Sequence, residues 1–595
     1  MKLYNRFKTS AEGFSRAFSR FPLTALFLVA IVVLDGMMIN DYDLDFEKYL
    51  ATFAVGACLS MVFQMAYERF CTRLAARIMF MVIAILLTLG YYLTVMNLSE
   101  FSEEIGVKTM VVIFGLLIGF LWVPSIRSRI SFNESFMAGF KAFFIALFFS
   151  GVLMAGLSMI YGATDQLLFD VSEKIYPHTA NIVFVLFAAM YFLSLTPKYP
   201  GIKELASGEE ELKSIEADVS KFTFCPKYLE ILISYIIVPL SMVFTVILLL
   251  YIVRNIGGVF WEDDLLEPML VSYIVVVILL YILASRLENQ LASVFRKVFP
   301  KVLLPIVLFQ TVNSFLRIGS YGLTYGRYYV ILFGIFAFIS GLVFTFRSVE
   351  KNGLVPMVLI ICIAISVVPP VDAFTVSRTS QIRMFKNVLV NNGMLKDGEI
   401  VANPEIDEEE KEKISEITEY LYHMDYTDDI EWLPEDFEYY EDFNDVFGFS
   451  PYEKMDRGDE NELHIWTDMN IVDISGYDFF IQTHMGFFED GKNDSDEHEF
   501  EKDGKSFSIS QSYTDDDVRI SLYDSAGREM VSLWGRDILD EFEDYEGYVE
   551  LGLDEVYAIA ENDQCALKAY IQRIDIYDRE NPHFDVDMYL LVKIK

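Results

Sequence analysis

The sequence predicts a membrane all-α helical bundle of about eleven transmembrane helices, followed by a soluble, acidic α+β domain. Three observations predict it. Apolar runs of about 20 residues, the length that carries a helix across a bilayer, recur through the first 371 positions. The basic residues concentrate in alternate connections between those runs. Almost the whole net negative charge lies beyond position 371.

The charge division comes first because it bounds everything else. From Asp372 onward there are 19 Lys+Arg against 58 Asp+Glu, whereas the preceding 371 residues carry 28 against 27. The C-terminal part therefore carries a formal charge of −39 and the rest +1, which together make the chain's −38, while the apolar runs that raise the chain's mean hydropathy to +0.33 lie in the N-terminal part. A domain that acidic repels phosphate backbones and anionic headgroups, so nucleic acid is not an expected partner. The five cysteines, Cys58, Cys71, Cys225, Cys362 and Cys565, include no CxxC pair, and only Cys565 lies in the acidic part. Neither a disulfide framework nor a cysteine zinc site is expected, and no cofactor is expected.

The spans are read as Phe21 to Ile39, Tyr49 to Tyr67, Ile78 to Met96, Met110 to Ile126, Ala142 to Tyr161 and Thr179 to Leu195, then Ile231 to Val253. Pro268 to Ser285, Val302 to Leu316, Tyr328 to Phe346 and Leu354 to Val371 complete the eleven. The connections assigned inside carry 22 Lys+Arg and the five outside loops carry 6, which places the N-terminus in the cytoplasm. Outside loops such as Asp41 to Asp45 and Trp261 to Asp264 are acidic. The first span is read as a retained anchor, because its apolar run is long and no small-x-small cleavage site follows it. The domains are then 1–371, a polytopic bundle; 372–396, a juxtamembrane helix and linker; and 397–595, an acidic extracytoplasmic α+β domain.

In the juxtamembrane segment the spacing turns Ile382, Phe385 and Val388 to one side, as in a helix lying on a leaflet. The acidic run Glu405 to Glu419 suggests a solvated helix or linker. Alternation then predicts strands over Val518 to Tyr523 and Met530 to Trp534, joined by a turn at Asp524 to Gly527. A second pair is expected over Ala566 to Ile576 and Phe584 to Ile594, with a turn near Asn581-Pro582.

Ionisable and polar groups within a bilayer are costly, so those present are site candidates. Asp35 lies late in the first span, where an interfacial acid accounts for it as well as a cation ligand does. Gln310, Asn313 and Arg317, at i, i+3 and i+7, put a polar stripe on one helix face. That stripe runs into a glycine-rich break ending at Arg327, and its readings are a small-molecule or ion site, or interhelical hydrogen bonding. Gly151, Ala155, Gly156 and Gly162 suggest a close helix seam. In the acidic domain Asp494, Asp496 and Glu499 are the densest oxygen ligands for a calcium ion, but the glycine of an EF-hand loop is missing, which favours an exposed charged loop. No HExxH, GxSxG or Walker-type loop occurs, so no catalytic residue is assigned.

Tyr321-Gly322-Leu323-Thr324 with Arg327, Ser380-Gln381-Ile382-Arg383, and Asp473 to Asp478 together resemble the bacterial membrane proteins grouped as domain of unknown function 4153. The resemblance implies a bacterial cytoplasmic membrane protein and carries no catalytic residue with it. Three functions follow in order of preference. The first is a non-enzymatic sensing, binding or scaffold protein of the envelope, partnered by the lipid bilayer and by another membrane or envelope protein. The second is a secondary transporter or channel for a small molecule or ion, built on the polar stripe. The third is a membrane-embedded transferase acting on lipid or glycan carriers, using Asp41, Asp43 or Asp264.

Overall fold

A computed structural model of the chain describes residues 13–41, 46–96, 101–202, 209–255, 266–396, 398–434, 437–451, 463–467, 472, 474–487, 497–514, 517–539, 542, 545, 547–551, 556–578 and 583–595. The chain divides into two compact units, Met1–Met384 and Phe385–Lys595.

The first unit is helical. In chain order its helices are α1 (Pro22–Asn40), α2 (Glu47–Phe70), α3 (Leu74–Val95), α4 (Glu103–Trp122), α5 (Phe132–Leu167), α6 (Ile175–Leu195) and α7 (Glu209–Thr223). They continue as α8 (Lys227–Arg254), α9 (Leu266–Leu283), α10 (Gln290–Tyr321), α11 (Tyr325–Phe346), α12 (Leu354–Val367) and α13 (Ala373–Asn391). Among the described residues, nine helices are long and apolar enough to cross a bilayer: α1 to α6, α8, α11 and α12. All eleven expected spans fall on helices, but α9 and α10 do not meet that standard. The apolar stretch of α9, Glu267–Leu283, is shorter, and α10 carries Pro300 and Pro305 inside it together with the polar stripe.

Helices carry the crossings because each satisfies its own backbone, which hydrocarbon cannot do for it. The side chains agree: Phe148, Leu240 and Leu250 are each about two-thirds exposed, a cost in water and a gain in lipid. The membrane protein thus keeps its oily surface outward. Ends are built by side chains. Ser131 and Glu134 form a capping box at the start of α5, and Asn289 and Thr324 cap α10 and α11. The interior falls into two apolar cores. One joins α1, α2, α3, α4 and α6 around Phe21, Met65 and Phe120, and the other joins α8 to α12 around Val238, Tyr281, Phe295 and Phe336.

Close seams form at Gly56, Gly139 and Gly334, where an added Cβ would collide with Thr88, Leu121 and Thr311 respectively. The expected seam in α5 is not there. A Cβ on Gly151 or Gly156 meets nothing within 4 Å, and on Gly162 only the Tyr176 hydroxyl at 4.0 Å. Those glycines belong to a stretch whose Phe148, Phe149 and Val152 are exposed, so small size there brings no helix closer.

The second unit opens with the end of α13, a short hairpin of β1 (Leu395–Lys396) and β2 (Glu399–Ile400), then α14 (Glu408–His423) and α15 (Tyr439–Phe447). Phe385 packs against Trp432 and Phe447, and Tyr439, Phe443, Phe447 and Phe449 form an aromatic nest. The acidic run is therefore not a solvated helix throughout. Ile414, Ile417, Thr418 and Leu421 bury one face of α14, leaving the glutamates on the other.

The rest is β-rich. In chain order the strands are β3 (Leu463–Trp466), β4 (Phe479–Phe487), β5 (Glu497–Lys502), β6 (Lys505–Tyr513), β7 (Val518–Tyr523), β8 (Glu529–Trp534), β9 (Gly547–Glu550), β10 (Tyr557–Glu561), β11 (Cys565–Asp578) and β12 (His583–Ile594). One sheet runs β4-β12-β11-β3-β9 with β10 also on β11, and the other is the meander β5-β6-β7-β8. Only β3 and β9 pair in parallel among these described strands. The two sheets share one core, in which Ile520 and Leu522 of one meet Ile574, Val586 and Met588 of the other. The expected strands appear as β7, β8, β11 and β12, and Gly527 takes φ +74 in the expected turn. Asn581-Pro582 lies outside the described residues.

A candidate polar site at one end of the bundle

The stripe on α10 is buried. Gln310 is 0%, Asn313 1%, Ser314 0% and Arg317 6% exposed. Gln310 donates through Nε2 to Ser314 Oγ at 3.1 Å, and Ser314 donates to Glu267 Oε1 at the start of α9. Gly334 of α11 passes so close that a Cβ there would lie 3.2 Å from Gln310 Oε1. The helix ends one turn beyond Arg317, where Gly322 takes φ +69, a left-handed conformation that other residues rarely adopt.

That break meets the first half of α13. Leu323 donates its backbone N–H to Ser380 Oγ at 3.2 Å, and a Cβ on Gly322 would sit 2.8 Å from Gln381 Nε2. Arg327, at the start of α11, donates to the Gly322 carbonyl at 3.2 Å. The two sequence segments Tyr321 to Arg327 and Ser380 to Arg383 thus form one clamp. Within α13 the buried polar side chains are Ser377 and Gln381, while Ile382 is half-buried. Of the expected apolar side, Phe385 and Val388 are buried, together with Leu389, and Ile382 is half-buried, while Ser377 and Gln381 take inward positions in the first half.

Beside the clamp stands an ion pair. Asp372, fully buried, caps α13 by accepting from the N–H groups of Phe374 and Thr375, both at 3.2 Å. Lys108 of α4 reaches the same carboxylate at 2.9 Å, binds Glu104 at 2.6 Å, and lies 5.3 Å from the centre of the Phe374 ring. Burial pushes the Asp372 carboxyl up, but the hydrogen bonds from Thr375 and Lys108 and the ammonium charge outweigh it, so it titrates below the usual carboxylate range. Tyr325 stacks on Phe374 at 4.9 Å and donates to Glu103.

The structure therefore places Gln310, Asn313 and Arg317 together on one buried face of α10, and Arg327 separately at the start of α11, on the Gly322 carbonyl. Asp35 sits apart from it, half-buried near the end of α1, a helix that packs on α2 and α6. Asp494 and Asp496 lie outside the described residues, as do Asp43, Asp264 and Asp473. Glu499 is exposed on β5, and the described residues hold no group of three or more His, Cys, Asp or Glu able to hold a metal ion.

Sequence reasoning missed Lys108, Glu267, Ser314, Ser377 and Asp372. Asp372 had a local signal, an acid placed after Pro369-Pro370 and directly before a helix, which is a capping pattern. Lys108 had none, since a lone lysine at a span's edge looks like an anchor.

No curated protein and no solved structure matches the chain. Residues 23–408 match the family model described as a domain of unknown function, DUF4153, which spans the bundle, the clamp and the start of the second unit, and the chain belongs to that family.

Proposed function

We propose that the chain is a non-enzymatic sensing, binding or scaffold protein of the bacterial cytoplasmic membrane, with its N-terminus inside and the domain of residues 397–595 outside. The basic inner connections and acidic outer loops support the placement. Eleven crossings follow if α9 and α10 also span. Both are neighbours within the second apolar core, and the surrounding helices shield the polar groups of α10 from lipid.

One observation carries the functional reading. The helix that leads out of the bundle is held at its start by Asp372 and Lys108 and by the clamp on Gly322. A domain that binds something outside and reports it to a membrane partner needs such a fixed point of exit. A free tether would need none.

Two measurements test it. Protease added to intact spheroplasts removes the C-terminal domain; protection until lysis overturns the placement. A strain lacking the gene is restored by the full chain and not by a chain ending at residue 396, whereas restoration by the shortened chain overturns the binding role.

A further inference from the structure

The buried face of α10 holds more acceptors than donors. Gln310 and Ser314 are fully enclosed and Asn313 nearly so. Gln310 Nε2 is used on Ser314, and the Ser314 hydroxyl is used on Glu267. The amide oxygens Gln310 Oε1 and Asn313 Oδ1 are sealed from solvent and accept no hydrogen bond from any described residue. Bare acceptors of this kind cost free energy in any interior and more in a membrane, where water cannot stand in. Two of them lie on the helix face that also carries Ser314, whose hydroxyl reaches the Glu267 carboxylate.

The donor set points to its ligand. Four neutral or anionic oxygens suit a hard cation rather than an anion or a soft metal. Their formal charge is −1, from Glu267 alone, and that matches a monovalent ion; calcium sites recruit several carboxylates. Arg317, one turn along, is buried and has an interaction of its own. We propose that Glu267, Gln310, Asn313 and Ser314 form a site for a dehydrated alkali cation, where α9 begins and α10 nears its close. The inference goes beyond the sensing reading and does not rest on it, since a bundle that only anchors a domain can bind the ion equally well.

The test uses the full chain purified in detergent. Its thermal midpoint is followed by intrinsic fluorescence in sodium, potassium or choline chloride at equal ionic strength and constant pH. The expected result is a saturable rise of a few degrees with sodium or potassium and none with choline, lost in Glu267→Gln. Equal midpoints in all three salts overturn the proposal, as does a response unchanged by the substitution. A midpoint that follows pH in choline and ignores the alkali ions also overturns it, in favour of a protonated carboxyl. Should Glu267→Gln fail to fold, radioactive sodium binding to the natural chain and to Asn313→Leu decides. Binding displaced by unlabelled sodium and weakened at least tenfold in the variant supports the site, and no displaceable binding to the natural chain overturns it.

Discussion

Two clusters of charge in this molecule use the same chemistry in opposite surroundings. At the bundle end, one ammonium bridges two carboxylates, of which Asp372 is 0% exposed. On the face of the larger sheet a ribbon of charge crosses four strands. His464 of β3 pairs with Asp575 of β11 at 2.7 Å, and Arg573 reaches Asp575, Asp585 and Asp587 at 3.3, 3.6 and 3.0 Å. His484 of β4 closes the ribbon on Asp585 and Asp587 at 3.0 and 3.3 Å. There Arg573 is half exposed, so water shares the work of solvation. The difference teaches that a contact's distance says little about its value. What matters is which groups are left when the contact is broken, and whether water can reach them.

The comparison is broken most readily at Lys108. Replacing it by leucine strands a buried carboxylate, and breaking a buried pair in this way costs about 3–5 kcal/mol. The corresponding loss at Arg573→Ala is about 1 kcal/mol or less. Thermal unfolding of each variant in detergent measures both, and equal losses would erase the distinction. Because Asp372 titrates below its unfolded value, its contribution is fully present above the usual carboxylate range and is lost as pH falls through its folded pKa. Melts taken from pH 5 downward should fall less steeply in Asp372→Asn than in the natural chain.

A smaller effect sharpens the role of the clamp. Gly322 and Gly393 share nearly the same backbone angle, φ +69 and +67, but only Gly322 is crowded, with Gln381 and Met384 in the way. Alanine at Gly393 carries the conformational cost alone, about 1–2 kcal/mol. Alanine at Gly322 adds a steric collision and should cost at least about 1 kcal/mol more, a gap read from paired melting curves.

The smallest effect lies on the sheet. Asp575 and Asp585 stand directly opposite one another across β11 and β12, an arrangement of like charges that weakens a sheet. Burial first, and then Asp587 and Asp575, push the Asp585 carboxyl up despite His484 and Arg573. A raised folded pKa means that stability is present at low pH and lost as pH rises through that value. Asp585→Asn should therefore stabilise the chain at pH 7 by about 0.2–1 kcal/mol, and the gain should vanish near pH 4. A loss at pH 7 would show that the Arg573 and His484 contacts outweigh the repulsion.

Much of the architecture was legible in the sequence. Each apolar run became a helix because hydrocarbon leaves the backbone no other way to satisfy itself. The strands β7, β11 and β12 were visible because one buried face forces alternation along a chain. The polar stripe was legible for the same reason, since Gln310, Asn313 and Arg317 return to one face of α10 whatever surrounds it. Glycines were harder to read. Gly151 and Gly334 look alike in sequence, yet only Gly334 has a helix against it.

By itself, then, the sequence determined the repeated crossings, the acidic and β-rich second part, and the face on which α10 is polar, because these depend on local period and composition. Tertiary structure alone decided that Asp372 would find Lys108, that Ser314 would find Glu267, and that α13 would turn Ser377 and Gln381 inward. Those contacts join residues far apart in the chain, and a buried polar group takes whatever partner the packing supplies. Periodicity reports which way a side chain points and is silent on what waits there.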